Sequence, residues 1–138
     1  SLQVAKGLVM YLRRPGGQRQ FSAELLAQQA PPDGQMPRLL EWLRESLAEP
    51  LDVETMAEHM AMSTRTLHRH CQAELGVTPA RLLLQLRLER ACQLLEAGDA
   101  SLKRVAQRSG FDSAYNLRHA FSRALGVTPA EYRQRFCR

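Results

Sequence analysis

The six-residue sequence LGVTPA occurs twice in this chain, at residues 75–80 and again at residues 125–130. A repeat at a fixed offset of 50 residues indicates one structural unit that is built twice. Glycine can end a helix in the left-handed conformation, threonine can cap the next helix, and proline is tolerated at the first helical position. Each copy therefore predicts a joint between two helices.

The segments upstream of the two joints also correspond, since residues 56–69 match residues 105–119 when one extra residue is allowed in the second copy. Each copy predicts a short helix with alanine on its packed face, a tight turn, and a second helix that a serine opens. That is the layout of a helix-turn-helix. Gly110 suits the turn of the second copy, because glycine accepts a positive φ. Ala61 stands at the same place in the first copy, where we expect another turn geometry.

The second helix of each unit is predicted to have a divided surface. At 100° per residue, Leu67 and Cys71 face the core in the first unit, as Leu117 and Phe121 do in the second. The opposite sides carry arginine and hydrogen-bonding groups that can read base edges, and no acid. A solvated helix face is the ordinary interpretation of any one such charge. Two such faces at equivalent positions of a duplicated unit favour contact with DNA.

A spacer joins the two units, and it is predicted to be one continuous helix from Thr78 to Leu95 that ends near Gly98. The segment is rich in leucine and has no glycine or proline after Pro79. At about 1.5 Å per residue it spans roughly 27 Å, and successive major grooves on one face of DNA lie about 34 Å apart. We expect this helix to form part of the core and to set the two units one turn of DNA apart.

Residues 38–138 resemble the DNA-binding domain of AraC/XylS-type transcription regulators. The resemblance is carried by residues 87–95, 105–113 and 121–133. It implies an all-α fold of seven helices, in which two helix-turn-helix units flank a linking helix and the third and sixth helices contact the bases.

The predicted boundaries inside this domain follow the repeat. The first helix-turn-helix is placed at residues 52–75, the linking helix at residues 78–96 and the second helix-turn-helix at residues 102–125. Carried over by position, the residues that face the bases are Arg65, Thr66, His68, Arg69, Ala114, Tyr115, Asn116, Arg118 and His119. Contacts to phosphate are expected around them, from Thr64, Arg81, Ser113, Arg123 and Arg133. For the arginines of the second set, a surface salt bridge is an equally good interpretation.

The first residues of the chain resemble part of a different domain. A helix-like segment at residues 2–12, followed by residues 13–21, is similar to the end of the amidotransferase-like (PfpI-type) sensor domain in the GlxA/FtrA-like branch of AraC regulators. The resemblance implies that residues 1–14 are the remnant of an upstream sensor domain, that residues 15–37 are a linker, and that the chain is a fragment. An ordinary N-terminal helix that packs on the DNA-binding domain is the alternative.

No sequence feature predicts catalysis, a cofactor or a metal site. The three cysteines, Cys71, Cys92 and Cys137, are odd in number and widely spaced, which predicts reduced thiols, with Cys71 packed in the core. His68 and His70 are two residues apart on a predicted helix, so they point about 200° apart and cannot bind one metal ion together. Without a convergent catalytic cluster, the chain is predicted not to be an enzyme.

Charge and hydropathy suit a DNA partner without requiring one. The net charge is +5 and most of the basic residues are arginines. This favours DNA contacts from specific side chains over general electrostatic attraction. No apolar run reaches the length of a membrane span and no signal peptide is visible, so a cytoplasmic location without a membrane partner is predicted.

We therefore predict a sequence-specific DNA-binding transcription regulator that reads two successive major grooves of double-stranded DNA as a monomeric fragment. The alternative is a helical protein–protein interaction module without DNA specificity of its own, which could contact RNA polymerase. Recognition surfaces without acidic residues favour DNA over this alternative.

Overall fold

A computed structural model describes residues 34–98 and 100–136, and within these residues the fold is all-α with seven helices. The helices are α1 (Gln35–Ser46), α2 (Val53–His59), α3 (Thr64–Leu75), α4 (Pro79–Ala97), α5 (Leu102–Ser109), α6 (Ala114–Leu125) and α7 (Pro129–Phe136). The predicted sensor remnant at residues 1–14, most of the predicted linker and Cys137 lie outside the described residues. The predicted fold class of the DNA-binding domain is confirmed.

The repeated sequence forms the joints that its residue types predict. Gly76 ends α3 in the left-handed conformation with φ of +73°, and Thr78 caps α4 by accepting the backbone N–H of Arg81 at 3.1 Å. In the second copy the Thr128 hydroxyl accepts the N–H of Glu131 at 3.1 Å, and the Glu131 carboxylate accepts the N–H of Thr128 at 2.8 Å. This reciprocal pair is a capping box, which the first copy lacks because arginine stands in the place of the glutamate.

The helical domain begins earlier than the sequence predicts. The first helix starts at Gln35 and not at Arg38, and Met36 is fully buried. Pro37 falls in the first turn of α1, where backbone N–H groups have no partner within the helix, so proline is tolerated there. The boundary of the predicted linker at residue 37 is therefore too late, because a proline was taken as the end of the linker when it belongs to the helix.

The hydrophobic side chains form two separate cores that share α4. The first core contains α1, α2, α3 and buried α4 residues as far as Leu86, and the second contains buried α4 residues from Leu88 with α5, α6 and α7, while the half-buried Leu84 also packs against the second core. Equivalent positions of the repeat fill equivalent places in each core, since Cys71 corresponds to Phe121 and both are fully buried. Each helix-turn-helix is thus a packed unit, and α4 is the predicted continuous helix that connects them.

The turn of the first helix-turn-helix corrects one expectation. Ala61 has φ of +56°, in the same left-handed region as Gly110 with φ of +92°. The closing hydrogen bonds also correspond, because the N–H groups of Met62 and Phe111 each donate to the carbonyl five residues earlier, at 3.0 and 2.8 Å. The expectation of another geometry at Ala61 is wrong. The closing bond fixes the conformation of this position, and the exposed methyl group of Ala61 is accommodated there with conformational strain.

Replacing Ala61 by glycine is expected to raise the free energy of unfolding by about 0.5–1 kcal/mol. The left-handed conformation costs an L-residue about 1–2 kcal/mol, and the larger unfolded-state entropy of glycine cancels about half of that gain. Urea unfolding followed by circular dichroism measures the change. Ala73→Gly, at an exposed position inside α3, is the control and should lower the stability by about 0.5–1 kcal/mol. Equal losses in both variants would contradict the assigned strain.

Candidate nucleic-acid interface

The second helix of each unit, α3 or α6, starts with the same serine cap. The Ser63 hydroxyl accepts the N–H of Thr66 at 3.1 Å, and the Ser113 hydroxyl accepts the N–H of Asn116 at 3.0 Å. Neither helix has an acidic residue in its first turn. The positive end of each helix dipole therefore has no carboxylate within that first turn, an arrangement that suits an approaching phosphate group.

The outward side of α3 carries cationic and hydrogen-bonding side chains. Arg65, His68 and Arg69 are exposed, opposite the fully buried Leu67 and Cys71. Because these three side chains lie on one face of a rigid, capped helix, they can be presented together to a groove of DNA, as the sequence predicts for a recognition helix.

The single acidic residue of α3 lies away from this exposed surface. Glu74 is half-buried, and its carboxylate is 3.2 Å from Nδ1 of His70 on the same helix. The two residues are four positions apart and both are half-buried, so their side chains are neighbours at the edge of the core-facing stripe. The face that carries Arg65 thus has no carboxylate from its own helix to compete with a nucleic acid.

The outward side of α6 is similar, with an aromatic ring added. Asn116 and Arg118 are exposed, and the ring of Tyr115 is 61% exposed. The rings of Tyr115 and His119 lie 4.9 Å apart, inclined by 59°. An exposed aromatic ring beside hydrogen-bonding groups offers an apolar contact for a thymine methyl group together with polar contacts for base edges. A shallow open depression on this face is lined by Tyr115, Arg118, His119, Ser122 and Arg123.

The predicted base-facing residues occupy two surfaces, one on α3 and one on α6. Thr66 and Ala114 are half-buried within the first turns of their helices, and the other seven are exposed. Because each helix belongs to a different core, the structure brings the nine residues together as two groups, one on each of the two units that α4 connects.

The predicted phosphate-contacting residues divide into two kinds. Four are exposed near the recognition helices, namely Thr64, Arg81, Ser113 and Arg123. Arg133 differs, because it is half-buried and its guanidinium donates a hydrogen bond to the backbone carbonyl of Ala100. That contact ties α7 to the segment before α5. Arg133 therefore has a structural partner inside the domain. The sequence did not indicate this partner because Ala100 and Arg133 are far apart in the chain.

One arginine of the linking helix makes a contact that the sequence did not predict. Arg87 is half-buried, and its Nη2 donates to the carbonyl oxygen of Glu49 at 3.1 Å. Burial lowers the pKa of this guanidinium, while the nearby Asp112 carboxylate acts in the opposite direction. The only signal in the sequence was an arginine inside a run of leucines, where a core residue is expected.

The two cysteines among the described residues are buried and unbonded to each other. Burial, with a smaller contribution from Glu74, raises the pKa of the Cys71 thiol to about 11. The thiol is therefore protonated at neutral pH and unsuited to nucleophilic attack. The predicted core position of Cys71 is confirmed.

The fold and its exposed faces define a class of protein: a pair of helix-turn-helix units on one linking helix, each with an arginine-bearing outer helix. A sequence model of the helix-turn-helix domain family matches residues 56–135. The transcriptional activator RhaS of Salmonella schwarzengrund is 37% identical over 102 residues, which are 74% of this chain and 37% of RhaS. The chain thus spans a little over a third of the length of this curated relative.

Solved structures agree with these sequence matches. The DNA-binding domain of the transcriptional factor AdpA, determined in complex with a target DNA, is 39% identical with a TM-score of 0.70, covering 74% of this chain and 92% of that one. A transcriptional regulator with an AraC-type DNA-binding domain from Chromobacterium violaceum is 29% identical with a TM-score of 0.67, covering 73% and 91%. The chain belongs to the AraC-type family of helix-turn-helix DNA-binding domains. Across residues 34–98 and 100–136, no helix is long and apolar enough to span a membrane.

Proposed function

We propose that this chain binds double-stranded DNA sequence-specifically, with α3 in one major groove and α6 in the next, as part of a transcription regulator. The observation that carries the proposal is the pair of exposed faces without acidic residues, at equivalent positions of two capped helices. The linking helix has 19 residues, and a helix of that length measures about 28 Å. With the recognition helices set off its axis, this length suits grooves about 34 Å apart.

Selection of bound duplexes from a random library tests the proposal. The expected result is two sequence blocks about one helical turn apart, with the selected duplex bound at least about 10³-fold more tightly than a scrambled one at physiological salt. Affinities measured at several salt concentrations separate the phosphate contribution from base recognition. Equal, weak affinity for both duplexes would overturn the proposal and favour the protein–protein interaction module.

Replacing Arg69 by alanine is expected to weaken binding to the selected duplex by about 1–3 kcal/mol and to relax the preference at one base pair. Fluorescence anisotropy on duplexes substituted at each position of the first block measures both effects. Arg38→Ala removes the same charge from an exposed position on α1, outside both recognition helices, and is the control. Unchanged affinity for specific and random duplexes after Arg69→Ala would exclude a base contact.

Because one chain carries both reading surfaces, we propose that a single copy fills a site without dimerisation. Titration of labelled duplex above the dissociation constant should then saturate at one chain per selected site. RNA polymerase, if it is contacted, would meet a surface other than the two recognition faces, since these would be occupied by DNA. No catalytic step and no cofactor enters this proposal, and a DNA partner favours a cytoplasmic location.

We further propose that the domain follows an amidotransferase-like sensor domain of the GlxA/FtrA-like branch. The support is the sequence similarity of residues 2–21, which lie outside the described residues. The sequence encoded directly upstream tests this proposal, because a domain of another type there would overturn it.

A further inference from the structure

The two cores of the molecule adjoin along the middle of the linking helix. Leu86 belongs to the first core, Leu88 belongs to the second, and Arg87 stands between them. The α1–α2 loop and the α5–α6 turn face each other across an open cleft beside α4, and Arg87 lines that cleft together with Glu49 and Gly110. A charged side chain therefore lies in the cleft between the two units, next to the part of α4 where one buried cluster gives way to the other.

Arg87 is tied to the first unit through a carbonyl beyond the end of α1. Its Nη2 donates to the Glu49 carbonyl oxygen at 3.1 Å. Carbonyl groups at and beyond a helix C-terminus lack partners within the helix, and a planar guanidinium supplies donors at a fixed angle to the side chain. This contact restrains the α1–α2 loop relative to α4.

The same side chain lies directly against the turn of the second unit. A Cβ atom placed on Gly110 would come within 2.5 Å of Arg87 Nε and within 2.0 Å of the Leu47 carbonyl oxygen. The backbone of the second helix-turn-helix thus approaches the end of α1 as closely as atoms allow, with Arg87 packed alongside. The carboxylate of Asp112, two residues further along the turn, is near enough to act on the charge of Arg87.

We infer that Arg87 is a positioning residue that fixes the orientation of the two helix-turn-helix units, and so the spacing of the two DNA blocks that one chain reads. The inference rests on the proposed function. Its physical basis is that Arg87 touches both units where their hydrophobic cores do not merge. A rotation that shifts one recognition helix by about 3.4 Å, the rise of one base pair, would change the preferred spacing by one pair.

The linking helix also offers a matched control. Arg90 lies one turn further along α4, and its Nη2 donates to the Arg44 carbonyl oxygen at 3.1 Å. Arg90 therefore makes the same kind of bond to a backbone carbonyl of the first unit as Arg87 does, but its partner lies within α1 and it is one turn away from Arg87. Arg87→Met and Arg90→Met each remove one guanidinium and keep an unbranched side chain, so a difference between them reports the contact with the second unit.

The test measures the affinity of each protein for duplexes in which the two selected blocks are separated by the preferred spacing and by one or two base pairs more or fewer. Wild type and Arg90→Met should prefer one spacing by at least about tenfold. Arg87→Met should discriminate by less than about threefold, with its affinity for a single block unchanged. A folded Arg87→Met chain that keeps the full preference for one spacing would overturn the inference.

Folding of each variant is checked by circular dichroism before binding is measured. If Arg87→Met does not fold, Arg87→Lys takes its place, because it keeps the charge and most of the stem but loses the planar donor pair. Relaxed spacing in a folded Arg87→Lys chain supports the inference. If both Arg87 variants are unfolded while Arg90→Met is folded, Arg87 serves stability alone and the inference fails.

A measurement without DNA separates this inference from the proposed function. Spin labels on cysteines introduced at the exposed positions Ala73 and Ala124, with Cys137 replaced by serine, report the distance between the recognition helices. The distance distribution should be narrow in the wild type and in Arg90→Met, and clearly broader in Arg87→Met. A wild type that lacks two-block specificity would defeat the proposed function, whereas an unchanged distribution in folded Arg87→Met would defeat only the role of Arg87.

Discussion

Replacing Gly110 by alanine is expected to lower the free energy of unfolding by about 1.5–4 kcal/mol. Two effects add at this position. The backbone has φ of +92°, and an added Cβ would meet the Leu47 carbonyl oxygen at 2.0 Å and Arg87 Nε at 2.5 Å. A left-handed conformation costs an L-residue about 1–2 kcal/mol, of which the smaller unfolded-state entropy of alanine offsets about half, and forcing an extra carbon into a packed site costs about 1–3 kcal/mol. The nearest atom belongs to the backbone, so it cannot move aside as a flexible side chain could.

Gly76 is the matched control for this substitution. It has φ of +73°, but a Cβ built there meets nothing within 4 Å, so Gly76→Ala should incur only the net conformational cost, which is about 0.5–1 kcal/mol because the smaller unfolded-state entropy of alanine offsets half of the left-handed penalty. Urea unfolding of both variants, followed by circular dichroism and by the fluorescence of the single tryptophan, Trp42, measures the difference. If both variants lowered the free energy of unfolding by the same amount, the close contact between Gly110 and the Leu47 carbonyl would not contribute to the cost of the substitution.

The helix boundaries of both units could be predicted because local chemistry sets them. Ser63, Thr78 and Ser113 each accept an N–H from the residue three positions on, and glycine follows α3 and α6 in both copies of the repeat. These interactions join residues close together in the chain, so a sequence pattern contains all of their partners. The observed helices α2 and α3 of the first unit run from Val53 to Leu75, and α5 and α6 of the second from Leu102 to Leu125.

What could not be predicted depends on contacts between distant residues. The sequence alone suggests that Arg87 is a surface residue, and only the tertiary fold brings the α1–α2 loop beside it. The atom that excludes a side chain at Gly110 is the carbonyl oxygen of Leu47, which lies 63 positions earlier in the chain. Met36 belongs to the domain because its side chain is buried in the first core. The local sequence, in which a proline follows Met36, does not indicate this burial. At Ala61, a closing hydrogen bond prevailed over the intrinsic preference of the residue.

The candidate site shows the same division. Helical periodicity places Arg65, His68 and Arg69 on one outward face, and the structure exposes all three. The proposed phosphate contact of Arg133 depends on whether its guanidinium is available, and the carbonyl of Ala100 that binds it lies 33 residues away. Periodicity therefore identifies which side of a helix can read DNA, whereas the availability of a flanking arginine is decided by tertiary packing.

Transferring the outward face of α6 onto α3 is expected to make the chain select the second DNA block at both positions. The repeat gives the exchange directly, through the four substitutions Arg65→Tyr, Thr66→Asn, His68→Arg and Arg69→His. Three of these positions are exposed and the fourth is half-buried, and Asn116 at the equivalent position already donates its backbone N–H to a serine cap. The substitutions should therefore leave the first core intact.

The expected size of this effect follows from base recognition. Each correct base contact is worth about 1–3 kcal/mol of discrimination, so exchanging at least two of them should reverse the preference between the two blocks at the first position by about 30-fold or more. Competition between duplexes that carry the original pair of blocks and duplexes that carry the second block twice measures the reversal directly. The reciprocal transfer, of the α3 face onto α6, should produce the opposite preference. If the four-residue variant folded normally and still selected the original first block, residues outside these faces would read that block, because nothing else in the first unit would have changed.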